Sequence, residues 1–188
     1  MWLVVGLGAP YTLLNTLFPG PALTYALGMI LALIAVGVLI LAGVTRRELF
    51  LHFTLPSPRG ALLLVLLLVF IPGALLAGRG QPLDALADLI YAPASAISQE
   101  LYFRSALLVA FAHLLSGRNV DAARLAPTVQ AAIFALWHLR AFEVTPPLAA
   151  LAVLLLAFVA GLVWGTEAQR DRTLIWCALE HTLFLIVQ

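Results

Sequence analysis

The chain has 188 residues, of which 63% are hydrophobic and only 10% charged, with a mean hydropathy of +1.07. Soluble domains carry roughly 25% charged residues, so this composition excludes a soluble globular protein and indicates a polytopic membrane protein. The formal net charge of +1 selects no partner beyond the lipid bilayer; no nucleic-acid partner is expected, and the single Cys177 excludes an intramolecular disulfide.

A span needs about 20 apolar residues. Met1 to Phe18 just reaches that length despite Pro10 and Asn15. It lacks a basic leading region and a small-residue cleavage site, and so reads as a retained helix and not a signal peptide. After a turn at Phe18 to Pro21, Ala22 to Gly43 forms a second span. Thr45 to Gly60, with Arg46, Arg47, Glu48, Arg59, Pro56 and Pro58, is a polar connector expected on the membrane surface. Ala61 to Gly78 is a third span, bent at Pro72. Arg79 to Ala92, with Asp84 and Asp88, reads as a loop or short amphipathic helix, and Pro93 suits the first turn of the next helix. Ala94 to Leu115 is the fourth span and Ser116 to Arg124 a polar turn. Leu125 to Phe142 is the fifth span, holding Phe134, Trp137 and His138. Leu148 to Gly165 is a sixth span without distinguishing features, and Thr173 to Val187 is a final apolar segment, short for a full crossing, that contains Glu180 and His181. The expected fold is all-α: one membrane domain over residues 1–188, a single bundle of about seven transmembrane helices with an active site between the late ones.

Arginine placement predicts the orientation, because basic residues accumulate in cytoplasmic loops. Arg46, Arg47, Arg59, Arg118, Arg124, Arg170 and Arg172 follow the even-numbered spans, whereas only Arg79 and Arg140 fall on the other side. The N-terminus is therefore expected to be cytoplasmic. Trp2, Trp164 and Trp176 lie near span ends, as aromatic belts do, and His52 and His113 read as interfacial residues.

Within the spans stand Glu100, Arg104, His138, Glu180 and His181. Each ionisable group costs roughly 2.5 to 3.5 kcal/mol on insertion scales and marks a functional site by default. Glu100 and Arg104, four apart, share a helix face and can pair. A structural ion pair is the plain reading of those two, and an interhelical hydrogen bond that of a lone histidine. Acids and imidazoles on three different helices are better explained by a shared polar cavity. Glu180 can meet Gln99, Tyr102 or a tryptophan, or orient an imidazole. One carboxylate and two imidazoles are also the ligand set of many catalytic zinc sites, but the guanidinium of Arg104 would repel a cation, and no cofactor is expected.

Gln99-Glu100-Leu101-Tyr102-Phe103-Arg104 resembles the Glu-Glu-x-x-x-Arg motif of the CAAX protease and bacteriocin-processing family, also called CPBP or Abi, of intramembrane endopeptidases. Phe134-Ala135-Leu136-Trp137-His138 is similar to that family's Phe-x-x-x-His motif, and His181 falls where His-x-x-x-Asn would begin. The resemblance covers residues 94–188. It implies a metal-free peptidase acting on a membrane-anchored peptide or C-terminal tail, within a bacterial inner membrane and with the myxosortase-like branch as one possibility. Glu100, His138, His181 and Arg104 are then the catalytic candidates, with Glu100 as the base and the imidazoles polarising the carbonyl and protonating the leaving amine. Gln99, Phe134 and Tyr102 are the substrate-binding candidates. Two positions depart from the pattern: Gln99 replaces the first glutamate, and Leu185 replaces the asparagine. Those departures support an alternative, a non-catalytic peptide-binding or immunity-type protein. A small proton-coupled transporter is disfavoured by the absence of an internal repeat.

Overall fold

The computed structural model describes residues 1–7, 21–78, 90–118, 120–139 and 141–186, and every regular element among them is helical. In chain order these are α1 (Trp2–Gly6), α2 (Pro21–Leu41), α3 (Pro58–Gly78), α4 over residues 92–116, α5 (Ala122–Leu136), α6 (Ala141–Val144), α7 (Pro147–Asp171) and α8 (Ile175–Ile186). Most of the span assigned to residues 1–18, and Arg79, Asp84, Asp88 and Arg140, lie outside the described residues. Leu23–Leu41 and Pro147–Asp171 have the length and hydropathy of a membrane crossing. Pro58–Val69 of α3, together with α5 and α8, is apolar but shorter. At 12 residues, α8 falls well below the roughly 20 that a bilayer core requires.

Helix α4 is the axis of the fold, in contact with α1, α2, α5, α7 and α8. Its start is set as the sequence predicts, with Pro93 in the first turn, where a missing N–H leaves nothing unpaired. Its course is not regular: α-helix over Ala92–Gln99 passes into π-helix over Glu100–Leu107 and back to α-helix over Leu108–Ser116. One side of this widened stretch carries Tyr102, Phe103, Ala106 and Leu107 into the core beside Ala32, Ala35 and Leu39 of α2. π-Helical turns are rare and concentrate at functional sites. Here the irregular winding coincides with the motif that carries the buried charges.

Helix α7, the sixth span, is less plain than its sequence suggested. Gly161 and Gly165, four apart, let α5 approach closely. A β-carbon on Gly161 would lie 3.0 Å from both Cα and Cβ of Ala131, and one on Gly165 would lie 2.8 Å from Gln130 Oε1. Helices in a membrane have no water to drive them together, so small residues that allow backbone contact do that work. Gly161→Ala is expected to cost about 1–3 kcal/mol through overpacking, and Gly161→Leu to prevent the pair from docking; thermal unfolding in detergent measures both.

The 45–57 connector, expected on the membrane surface, packs against the protein through part of its length while Thr45, Arg46 and Arg47 stay exposed. Leu49 and Phe50 are buried, and the connector folds over the bundle. Thr45 and Glu48 form a reciprocal capping box, with Thr45 N–H donating to Glu48 Oε2 at 2.8 Å and Glu48 N–H to Thr45 Oγ1 at 3.2 Å. The Thr45 hydrogen bonds hold the Glu48 carboxyl below its ordinary range. Ser105 Oγ donates to Leu49 O at 2.7 Å, Leu174 N–H to Phe50 O at 3.2 Å, and Trp176 Nε1–H to Thr54 O at 2.8 Å. The connector thereby becomes a wall shared with the start of α8.

Candidate active site

The charged centre is built on α4 and α8. Glu100 and Arg104 are 1% and 0% exposed, and Arg104 Nε lies 3.2 Å from Glu100 Oε2. The other carboxylate oxygen, Oε1, lies 2.8 Å from His181 Nδ1. Both oxygens of Glu100 are therefore engaged. A carboxylate only accepts, so the contact places the hydrogen on His181 Nδ1 and leaves Nε2 as the basic nitrogen. The Arg104 guanidinium sits 4.1 Å from the centroid of Phe134 and 5.3 Å from that of Trp164, sheltered by aromatic faces that attract cations.

His138 arrives from α5, but from just beyond its end. The helix stops at Leu136, several residues earlier than the sequence suggested, and Trp137 to Leu139 form a turn. There His138 Nδ1 lies 3.0 Å from Phe134 O, one of the last helical carbonyls. A carbonyl cannot donate, so Nδ1 carries the hydrogen and Nε2 is again the open nitrogen. Phe134 stacks edge-on to both His138 and His181, at centroid distances of 5.0 and 6.0 Å.

These rings enclose a small cavity of about 90 Å³ lined by Gln99, Phe134, His138, Trp164, His181 and Leu185 among others. A second cavity of about 170 Å³, bounded by α2, also touches Gln99, His138 and Leu185. One end of the Gln99 amide is bonded to Ser95 Oγ at 2.8 Å; the other is buried with no partner among the described residues. On the other side of Glu100 lies an apolar cavity of about 710 Å³, walled by Phe50 to Phe53 of the connector, Ile97 and Leu101 of α4, and Ile175, Ala178 and Leu179 of α8. Glu100 lines this apolar chamber, and the residue before it, Gln99, lines both polar ones.

The structure thus brings Glu100, Arg104, His138, His181, Gln99 and Phe134 together. It does not bring Tyr102, whose hydroxyl donates to Val4 O at 3.0 Å and whose fully buried ring faces α1. Trp164 is the residue that sequence reasoning misplaced. It is buried and not part of an aromatic belt, its ring stacked on His181 at 4.5 Å and 24°. The Gly161-Leu-Val-Trp-Gly165 run was the available signal, since the same glycines that seat α7 on α5 bring Trp164 to the site. Glu180 takes the tryptophan partner among its expected options, accepting from Trp164 Nε1–H at 3.1 Å. Among the described residues no group of three or more His, Cys, Asp or Glu is arranged to hold a metal ion.

A family model described as type II CAAX prenyl endopeptidase Rce1-like matches residues 81–187. The match takes in Gln99, Glu100, Arg104, Phe134, His138, Trp164 and His181. The chain belongs to the Rce1-like family. It is therefore a member of a membrane-embedded peptidase family of the CAAX type, in keeping with the all-helical structure and its two long apolar helices. No curated protein and no solved structure matches the chain. Against the Rce1-like assignment, Leu185 is informative: it replaces the expected asparagine, yet it lines both polar cavities beside His138, so the position belongs to the site even though its side chain cannot hydrogen-bond.

Proposed function

We propose that the chain is an intramembrane endopeptidase that cleaves a membrane-anchored peptide near its C-terminus, using water activated by the Glu100–His181 pair. The observation that carries this reading is the 2.8 Å contact between Glu100 Oε1 and His181 Nδ1. It orients the imidazole so that Nε2 can take a proton from water while the carboxylate stabilises the imidazolium that forms. The resulting hydroxide attacks the peptide carbonyl carbon, and the same Nε2–H then protonates the leaving amine. His138 lines the same cavity, and its open Nε2, once it has taken a proton from solvent water, donates to the oxyanion. The open end of the Gln99 amide hydrogen-bonds the substrate backbone. In this assignment the base is His181, and Glu100 acts through it.

The large apolar cavity supports a substrate with a hydrocarbon group, and prenyl is the class named by the family description. Ala178→Phe, which fills that cavity from α8, is expected to raise KM for a prenylated peptide about 10-fold with kcat nearly unchanged, the signature of lost uniform binding. Steady-state kinetics with prenylated and unprenylated versions of one peptide check this. The arginine distribution supports an N-terminus on the cytoplasmic side of a bacterial inner membrane and a bundle of about seven crossings.

The direct test is incubation of the purified protein, in nanodiscs, with a farnesylated peptide ending in a CAAX sequence. Release of the C-terminal tripeptide by the wild type, and its loss in His181→Ala, is the expected result. Binding without release would favour the non-catalytic peptide-holding alternative. Release only from a C-terminal sorting tail would point to the myxosortase-like branch.

A further inference from the structure

Glu180 is fully buried, lines none of the cavities described above, and takes no part in the proposed proton transfers. Such a group inside an apolar helix carries an insertion cost of roughly 2.5 to 3.5 kcal/mol, so its retention calls for a physical role. Its contacts supply one. Glu180 Oε2 accepts from Trp164 Nε1–H at 3.1 Å. Cys177 Sγ, one turn before His181, adds a second tie between α8 and α7 by donating to Trp164 O at 3.4 Å.

The geometry bears on a freedom that the Glu100 contact leaves open. A single hydrogen bond from Nδ1 tolerates a spread of donor angles, so the His181 ring can still tilt about its Cβ–Cγ bond. A flat indole lying 4.5 Å away and inclined by only 24° restricts that tilt. The indole is itself held by the carboxyl of the residue next to His181 in sequence.

We infer that Glu180 and Trp164 are positioning residues: Glu180 fixes the indole, and the indole fixes the plane of the His181 imidazole so that Nε2 presents to the small polar cavity. The inference rests on the assignment of His181 as base and adds a second layer that carries no proton of the reaction.

The test uses the full chain in nanodiscs, with the farnesylated CAAX peptide as substrate and ¹⁵N-histidine, ¹⁵N-tryptophan labelling for NMR. Glu180→Leu removes the acceptor, and Trp164→Phe keeps a ring without the N–H. Each is expected to lower kcat by about 10²-fold, the scale of a small misplacement of a reacting group, with KM changed less than about twofold. The losses should not multiply in the double variant, because both break the same link. Glu180→Gln, whose amide oxygen still accepts from the indole, should restore most of the rate. The His181 ring ¹⁵N signals should move in Glu180→Leu and in Trp164→Phe but hold in Glu180→Gln. His181 signals unmoved by Glu180→Leu, or losses that multiply, overturn the inference. If the wild type leaves the peptide uncut, the proposed activity fails, and the ring signals alone decide whether the indole is held as described. Should Glu180→Leu not fold, Trp164→Phe carries the same expectation for both kcat and ring signals.

Discussion

Glu100→Gln is expected to lower kcat/KM on a farnesylated CAAX peptide by about 10³- to 10⁴-fold, the range seen when an amide replaces the carboxylate that orients a catalytic imidazole. The side chain keeps its shape, so the substitution isolates charge and hydrogen-bond polarity. An amide has one accepting and one donating end. It can accept from His181 Nδ1 or face the Arg104 guanidinium with its oxygen, but it cannot serve both, since Glu100 now hydrogen-bonds through one oxygen at 2.8 Å and ion-pairs through the other at 3.2 Å. Either arrangement sets an N–H against an N–H or releases the imidazole from the tautomer that leaves Nε2 basic. The negative charge that steadies the imidazolium is lost in both. Rates normalised to the folded fraction measure the effect, and a loss under about tenfold would remove Glu100 from the chemistry.

The second large effect concerns stability. Arg104→Met is expected to cost about 3–5 kcal/mol, the penalty for leaving one member of a buried ion pair without its partner. At about 2–4 °C per kcal/mol for a chain of this size, the midpoint of thermal unfolding in detergent should fall by roughly 6–20 °C. The arithmetic is specific because Glu100 and Arg104 are both almost wholly enclosed and the guanidinium also rests against Phe134 and Trp164. Adding Glu100→Gln to Arg104→Met should recover part of the loss, since the double variant buries no lone charge. A double variant as unstable as the sum of the two single ones would mean that the pair contributes packing alone.

Much of the site could be read from the chain because its chemistry is local and expensive. A carboxylate and an arginine four residues apart in hydrocarbon, and histidines on two later segments, announce themselves through residue type. What could not be read depends on how helices meet. Trp164 sits seven residues from the end of α7, where an indole ordinarily marks the bilayer surface, and only the close contact of Gly161 with Ala131 turns it inward. Tyr102 lies between Glu100 and Arg104 in sequence, yet its hydroxyl reaches Val4, since neighbouring positions on a helix face different partners. The connector carries Arg46, Arg47 and Glu48, which predict exposure, while its burial comes from Leu49 and Phe50 and from hydrogen bonds made by residues more than fifty positions away. The end of α5 at Leu136 escapes a reading by hydropathy because apolar residues continue on both sides of it, through Trp137, Leu139 and Phe142, and hydropathy does not register a turn.

The wide winding of α4 has a consequence for its tolerance of length change. The stretch from Glu100 to Leu107 sets the angular phase between Ala92–Gln99, which holds Gln99 on the polar cavities, and Leu108–Ser116, which leads on to the link between Glu48 and His113. Removing one residue from 105–107 would rotate one end against the other by about 100°. Either Gln99 and Glu100 would leave the cavities, or the far end would lose its grip on the connector. A deletion scan along α4 should therefore find this segment less forgiving than any point substitution of its outward-facing residues.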